Sequence, residues 1–443
     1  MFGMVPIRHK KVFDSVHGFI YLDSLETELI HSRVFQRLHY IHQLGVAYLS
    51  YPGGTHHRYE HSLGVMQLAT EIYERLIIST YDIAFMNHFE EALFRDVPKF
   101  MSAEYEYWRR VVRVSALCHD LGHLPFSHAA EQVLLGEGGH EKWTARIIQS
   151  HYLRPLWKRL SEELSCMKKS PEDVEGDILK TAIGERDLKI LGFKLSFTPW
   201  EKIVSEIITA DFFGADRIDY LLRDAKYTGI TYGLFDYHQL IEMLRILPVI
   251  HKGSSHLYLG VEEEGVESCE ALLMSRYFMH RRICHYASVK AYTWHLKHFM
   301  KACYQESSNL SCLEDYIAFT EHLVFVEMAK AEKDPNHVGH SDAVAFLNHD
   351  KRCKAIALSS PMNYEVVQKV VKEQGVPEEC LGFEINNFEE DFQMSLDFPV
   401  LRKDQSIIFC RELSKITVPI ALSNWLYVPA DYEKLLRQKL GAS

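Results

Sequence analysis

From Ser62 onward, Val65, Leu68, Ala69, Ile72 and Leu76 recur at the spacing of one helix face. A second stripe starts near Ser102 and runs through Trp108, Val111, Val112, Ser115 and Cys118. Extended by one residue, it carries His119 to the same inward face, and a buried imidazole needs a partner. A third helix is predicted near His140 to Ser150, with Trp143, Ile147 and Ile148 inward. DFFGADRIDYLLRDAKYTG (211–229) reads as a helix beginning after Gly214. In it Asp216, Tyr220 and Asp224 form a polar stripe beside Ile218, Leu221 and Leu222. Asp219 and Arg223 can pair at i, i+4 on another side, where a structural ion pair is expected.

Most of the first 300 residues read as helix, interrupted by a polar stretch at 161–177 that suggests a surface excursion. Beyond about residue 310 the texture changes. Ser360-Pro361 opens a helix that Gly375 and Pro377 close. SIIFC (406–410) and WLYVP (425–429) are short β-rich runs, and HLYLGVEEEG (256–265) suggests a hairpin. The expected fold is mainly α: an all-helical core over residues 1–310, then a smaller C-terminal α+β region over 311–443 with a regulatory or oligomerisation role.

The hydrophobic fraction of 47% and charged fraction of 25% are those of an ordinary globular protein. A net charge of −11 argues against a nucleic-acid coat binder, while leaving room for a local basic pocket around a phosphorylated ligand. The nine cysteines form no CxxC pair, so neither a disulfide framework nor a zinc ribbon is indicated. No run of about 18 apolar residues suggests a membrane span. The expectation is a soluble, cytoplasmic protein.

ALCHDLGHLPFSH (116–128) concentrates three histidines and an aspartate at the end of the second stripe. A lone His-Asp pair is usually a satisfied hydrogen-bonded couple, as expected for Asn348-His349-Asp350, which sits among polar residues. Here, however, His123 and His128 follow nearby. His119 and His123 have the i, i+4 spacing of a zinc-protease helix. Against that reading, the general-base position holds Asp120 and Gly122 weakens the helix. Further ligands are to be sought at a distance, in His61 of GTHHRYEHSLG (54–64) and in Asp216. Two histidines with two carboxylates suit Mn, Fe, Co, Ni, Zn or Mg.

This order, His61, His119-Asp120 and Asp216, resembles the H…HD…D set of the HD-domain phosphohydrolases. FQRLHYIHQLG (35–45), YPGGTHHRYEHSLGV (51–65), CHDLGHLPFSH and ADRIDYLLRDAKYTG together resemble the deoxynucleoside triphosphate triphosphohydrolases over about residues 8–300. HDLGH differs from the HDxxED pattern of the guanosine tetraphosphate hydrolases, and no GYP motif of the cyclic dinucleotide phosphodiesterases is present. The resemblance implies a divalent ion on His61, His119, Asp120 and Asp216. It implies attack of water on the α-phosphorus, giving a deoxynucleoside and tripolyphosphate, with His128 as the acid and His123 and His140 near the phosphates. Arg58 and Arg276 match arginines that hold phosphates. Gln43 and Asp224 match positions that recognise the sugar 3′ hydroxyl, Tyr220 packs on the sugar, and Leu44 crowds a 2′ hydroxyl. Homo-oligomers, dimeric or tetrameric, are also implied.

The sequence departs from the family in places. Gly214 stands at the first position of the D-A-D-R run, and Cys284 replaces a tyrosine set against substrate. His31 and His39 replace an aspartate and an arginine that read a guanine activator in the vertebrate enzyme, which argues against that activation. Lys11 and Arg37 leave room for a nucleotide activator's phosphates. Two alternatives stay open: an HD site acting on another phosphoester, and a nucleotide-responsive binding module with a non-catalytic metal.

Overall fold

The computed structural model describes residues 10–82, 89, 91–210, 212–251, 254–305, 310, 312–349, 352–358, 364–377, 381–384, 397–414, 416 and 424–441. It is mainly helical, with three small sheets. Strands β1 (Lys10–Asp14) and β2 (Gly18–Leu22) form a hairpin in the register Asp14↔Gly18 and Lys10↔Leu22. Its inner face buries Ile20 and Leu22, while Phe13, Phe19 and Tyr21 face outward. Strands β3 (Leu244–His251) and β4 (Ser254–Glu262) are antiparallel. β7 (Pro399–Leu401) runs parallel beside β4, and β8 (Ile407–Phe409) completes the order β3-β4-β7-β8. A third sheet has the order β5-β9-β6, with β9 (Asn424–Val428) between β5 (Lys354–Leu358) and β6 (Gly382–Glu384).

Helix starts follow local capping chemistry. Ser102 accepts the N–H of Tyr105 at the head of Ala103–Cys118. Ser170 with Pro171, and Thr198 with Pro199, open Pro171–Ile183 and Pro199–Thr209 with capping boxes. The helix Arg58–Thr80 packs against Ala103–Cys118 and Ala215–Thr228, and these three carry His61, His119 and Asp216 at or just past their ends.

The large hydrophobic core runs from Ile20 to Cys410 and includes Tyr316, Phe319, Val324, Met328 and Phe346 from helices past residue 310. A separate small core joins Ile356, Val367, Val371, Leu426, Val428 and Leu436.

Several local expectations change. Residues 161–177 are not a simple excursion: they span the end of helix Arg154–Glu163, a tight turn and the start of Pro171–Ile183. That last helix buries Val174, Asp177 and Ile178. Residues 256–265 form one strand rather than a hairpin, and their partner is the preceding Leu244–His251. The helix before Gly375 is described over Tyr364–Glu373, and its expected start at Ser360-Pro361 lies outside the described residues, as does Asp350. Gly375 has φ +69°, a left-handed helix end that suits glycine.

Candidate active site

His61 lies in the first turn of Arg58–Thr80, and His119 caps the C-terminus of Ala103–Cys118. Their rings stand 5.3 Å apart. His61 Nε2 is 3.0 Å from Asp216 Oδ1 and 3.6 Å from Asp120 Oδ2. His119 Nε2 is 3.3 Å from Asp120 Oδ1 and 3.6 Å from Asp216 Oδ1. Three of the four expected metal ligands, His61, His119 and Asp120, converge on one point, and Asp216 flanks both imidazoles. His61 and Asp120 are buried, and the Asp216 side chain is 36% exposed, so the site opens on that side.

The donor set fits a divalent ion. His61 Nδ1 is engaged by Asp219 Oδ2 at 2.7 Å and His119 Nδ1 by the Ala116 carbonyl at 2.8 Å, which turns both Nε2 atoms toward the site. His119 Nε2 is buried with no hydrogen-bond partner among the described residues, as a ligand lone pair would be. Burial works against charge on His61, yet Asp216 and Asp219 push its pKa up to about 10. Burial likewise opposes ionisation of Asp120, but Arg58, His119 and His123 hold its carboxyl well below the usual range. The pocket demands positive charge, which a divalent cation supplies.

The rival zinc-protease geometry does not form. Helix Ala103–Cys118 ends before His119, and His123 Nε2 turns to Asp120 Oδ1 at 3.2 Å. Gly122 permits this turn, since a Cβ there would lie 2.1 Å from the His140 carbonyl oxygen.

His123, His128 and His140 gather around a residue the sequence reading missed. Glu131 meets His123 Nδ1 at 2.6 Å and the Nδ1 atoms of His128 and His140 at 3.1 Å each. His140 stacks on His123 at 3.6 Å between centroids. Burial raises the Glu131 pKa, but charge and hydrogen bonds from His123, with bonds from His128 and His140, hold it well below the usual carboxylate range. The His128 side chain is 68% exposed.

This segment is reached through Phe126 and Ser127, consecutive left-handed residues at φ 60° and 54°. Such backbone costs about 1–3 kcal/mol per residue and must be held from outside. Glu321 does so: its Oε1 accepts the Phe126 and His42 N–H groups, while Oε2 meets His42 Nδ1. Ser127 Oγ donates to the His42 carbonyl and accepts Arg58 Nε. Arg58 also donates to Asp120 at 2.5 Å, so this arginine is buried against a metal-ligand carboxylate.

Along the helix Ala215–Thr228, Asp216, Tyr220 and Asp224 share one face. Asp224 meets His56 Nε2 at 2.7 Å, and the His56 carbonyl accepts the Gln43 N–H at 3.0 Å. Gln43 Oε1 is buried with no hydrogen-bond partner among the described residues. Leu44 is partly buried next to Gly54. Arg276, in the helix Val266–Arg282, acts electrostatically on Tyr220 and His280.

Activator positions are differently placed. His31 Nε2 meets Lys10 Nζ at 2.5 Å, and His39 stacks on Tyr59 at 3.5 Å. Arg37 is 3% exposed and donates to the carbonyls of Leu121, His123 and Phe319, so it cannot receive a phosphate from solvent. Lys11 remains exposed.

Residues 58–187 match the HD domain family. An uncharacterized protein of Methanocaldococcus jannaschii is 31% identical over 63% of this chain and 47% of its own length. YwfO of Bacillus subtilis, also uncharacterized, is 32% identical over 62% of this chain and 52% of its own. The human deoxynucleoside triphosphate triphosphohydrolase SAMHD1 is 29% identical over 62% of this chain and 41% of its own. The chain spans about half the length of the curated relatives it matches. A hypothetical protein of Aquifex aeolicus has a similar crystal structure, with TM-score 0.70 and 28% identity over 98% of this chain and 100% of its own. A Bacteroides thetaiotaomicron phosphohydrolase shares the fold at TM-score 0.68 and 20% identity, over 95% of this chain and 99% of its own. Among the described residues no helix is long and apolar enough to cross a membrane. The chain therefore carries an HD domain whose histidines and aspartate could hold a divalent metal, and it is similar to proteins that include a deoxynucleoside triphosphate triphosphohydrolase.

Proposed function

We propose that this chain hydrolyses deoxynucleoside triphosphates to a deoxynucleoside and tripolyphosphate. The carrying observation is the polar face of helix Ala215–Thr228, where Asp216 stands against the His61 and His119 imidazoles at one end and Asp224 against His56 at the other. Asp216 and Asp224 are eight residues apart, about 12 Å along a helix, enough to separate a reacting phosphate from a sugar. In this reading the 3′ hydroxyl donates to Asp224 and accepts from the Gln43 side-chain amide, His56 holds Asp224 in place, and Tyr220 and Leu44 border the sugar. Arg276, His123 and His140 face the phosphates.

His61, His119, Asp120 and Asp216 would hold the ion, which when bound supplies Lewis acidity and lowers the pKa of water. The water oxygen bonds to the α-phosphorus, its proton passing to solvent, as the bond to the 5′ oxygen breaks. His128 gives a proton to that oxygen, and Glu131, 3.1 Å from its Nδ1, orients the imidazole for the transfer. The exposed aromatic face of the hairpin, Phe13, Phe19 and Tyr21, supports assembly into a homo-oligomer.

The test is to incubate the purified protein with each dNTP and Mn²⁺ or Mg²⁺, and to separate products by ion exchange. Deoxynucleoside plus tripolyphosphate is expected, lost in His119→Ala/Asp120→Ala. Stepwise release of phosphate would replace this reading with hydrolysis of another phosphoester.

A further inference from the structure

His61 is held from behind by a carboxylate that the hairpin also grips. Asp219 is fully buried; its Oδ2 meets His61 Nδ1 at 2.7 Å and accepts Arg223 Nε at 2.9 Å. Its Oδ1 accepts Arg223 Nη2 at 3.0 Å and meets His17 Nε2 at 2.6 Å. The His17 side chain is 2% exposed and comes from the turn joining β1 to β2. In that turn Asp14 accepts the main-chain N–H groups of Val16 and His17 at 2.8 and 2.9 Å. Asp14 also takes two bonds from Arg223, at 2.8 and 3.2 Å. The turn therefore contacts both partners of the ion pair that orients His61. Room for this arrangement exists because residue 64 is glycine: a Cβ there would lie 1.9 Å from Asp219 Oδ1.

We propose that the β1–β2 hairpin is part of the metal-binding apparatus, with His17 a positioning residue that acts on His61 through Asp219. With His17 in place, Asp219 has one orientation that satisfies all its donors, and His61 Nε2 is held toward the site. Without it, Oδ1 loses a donor in a dry environment, and the carboxylate can turn toward Arg223 and release the ring. Partners of metal-bound histidines commonly change metal affinity 10- to 100-fold. Coupling is reciprocal, so an ion on His61 stabilises the turn as much as the docked turn favours the ion. The inference rests on the metal reading and is independent of which phosphoester is cleaved.

The experiment titrates the full chain with MnCl₂ by calorimetry and follows amide hydrogen exchange at Val16 and His17. His17→Ala is expected to bind Mn²⁺ about tenfold more weakly or worse. His17→Gln, whose side-chain amide can donate in place of ring Nε2, should fall within a few-fold of wild type. Ile190→Ser, at an exposed position outside the hairpin, should bind as wild type does. Saturating Mn²⁺ should slow exchange at Val16 and His17 in wild type. Wild-type affinity in His17→Ala, equal losses in the Ala and Gln variants, or exchange indifferent to Mn²⁺ would each overturn the coupling. Wild-type protein that binds no Mn²⁺ would overturn the metal reading itself, and the coupling with it.

Discussion

The two oxygens of Glu131 meet three imidazoles, so each of His123, His128 and His140 depends on its charge for orientation. Glu131→Gln removes the charge and keeps the shape. On the proposed mechanism it should lower kcat by about 10²- to 10⁴-fold, the usual worth of general acid catalysis, with a much smaller effect on KM. Steady-state kinetics on the product assay would check this. Gly64→Ala should destabilise the fold by about 1–3 kcal/mol, because its methyl group meets the buried Asp219–Arg223 pair and something must shift. Denaturant unfolding in the absence of metal would measure it. Legibility at this scale was uneven. His119 and Asp120 stood out because they end an apolar helix stripe, whereas His61 begins an amphipathic helix and Asp216 lies on a polar stripe, and the two were joined to the pair by the H…HD…D order. Glu131 did not stand out, since an acid in the first turn of a helix is ordinary. His17 and His56 have no local signal either: their carboxylate partners lie 202 and 168 residues away.

Among the elements, the helix Arg58–Thr80 packs against both Ala103–Cys118 and Ala215–Thr228, and these three bring the expected metal ligands together, while a fourth from beyond residue 310 steadies the turn after His119. Glu321 begins the helix Glu321–Lys333 and is 2% exposed. Glu321→Ala would leave the Phe126 and His42 N–H groups unpaired next to two left-handed residues. Each such group costs about 1–3 kcal/mol, so the midpoint of urea unfolding should fall, and activity should drop with it as His128 loses its fixed approach. Phe319, Tyr316 and Arg37 brace the same loop, Tyr316 through its hydroxyl to the Gly122 carbonyl. The helices were readable because their apolar stripes have a clear period. The β3–β4 hairpin was displaced in the reading because Pro248 sits inside β3, and proline normally argues against a strand. Helix Pro171–Ile183 was partly hidden because its first turn, PEDVEG, exposes almost only polar side chains.

At the scale of the molecule, helix Pro199–Thr209 meets β4 where Glu206 accepts the Leu259 N–H. Burial pushes the Glu206 carboxyl up from 4.5 to about 7. The folded state then holds this proton more tightly than the unfolded chain. Its contribution to stability is complete below about pH 4.5 and is lost as pH rises through 7. Glu206→Gln should remove that decline, gaining on the order of 2 kcal/mol relative to wild type between pH 5 and pH 8 in denaturant midpoints.

The three-stranded sheet has β9 between β5 and β6, and β9 follows both in the chain. During synthesis at roughly 5–20 residues per second, β5 therefore leaves the ribosome several seconds before the strand that must lie beside it. Until then β5 and β6 each expose an unpaired edge, while every residue expected to hold the metal has already emerged. The nascent chain therefore has all its expected metal ligands in place while this lobe is still an unclosed, sticky surface, and that lobe is where a chaperone would be needed.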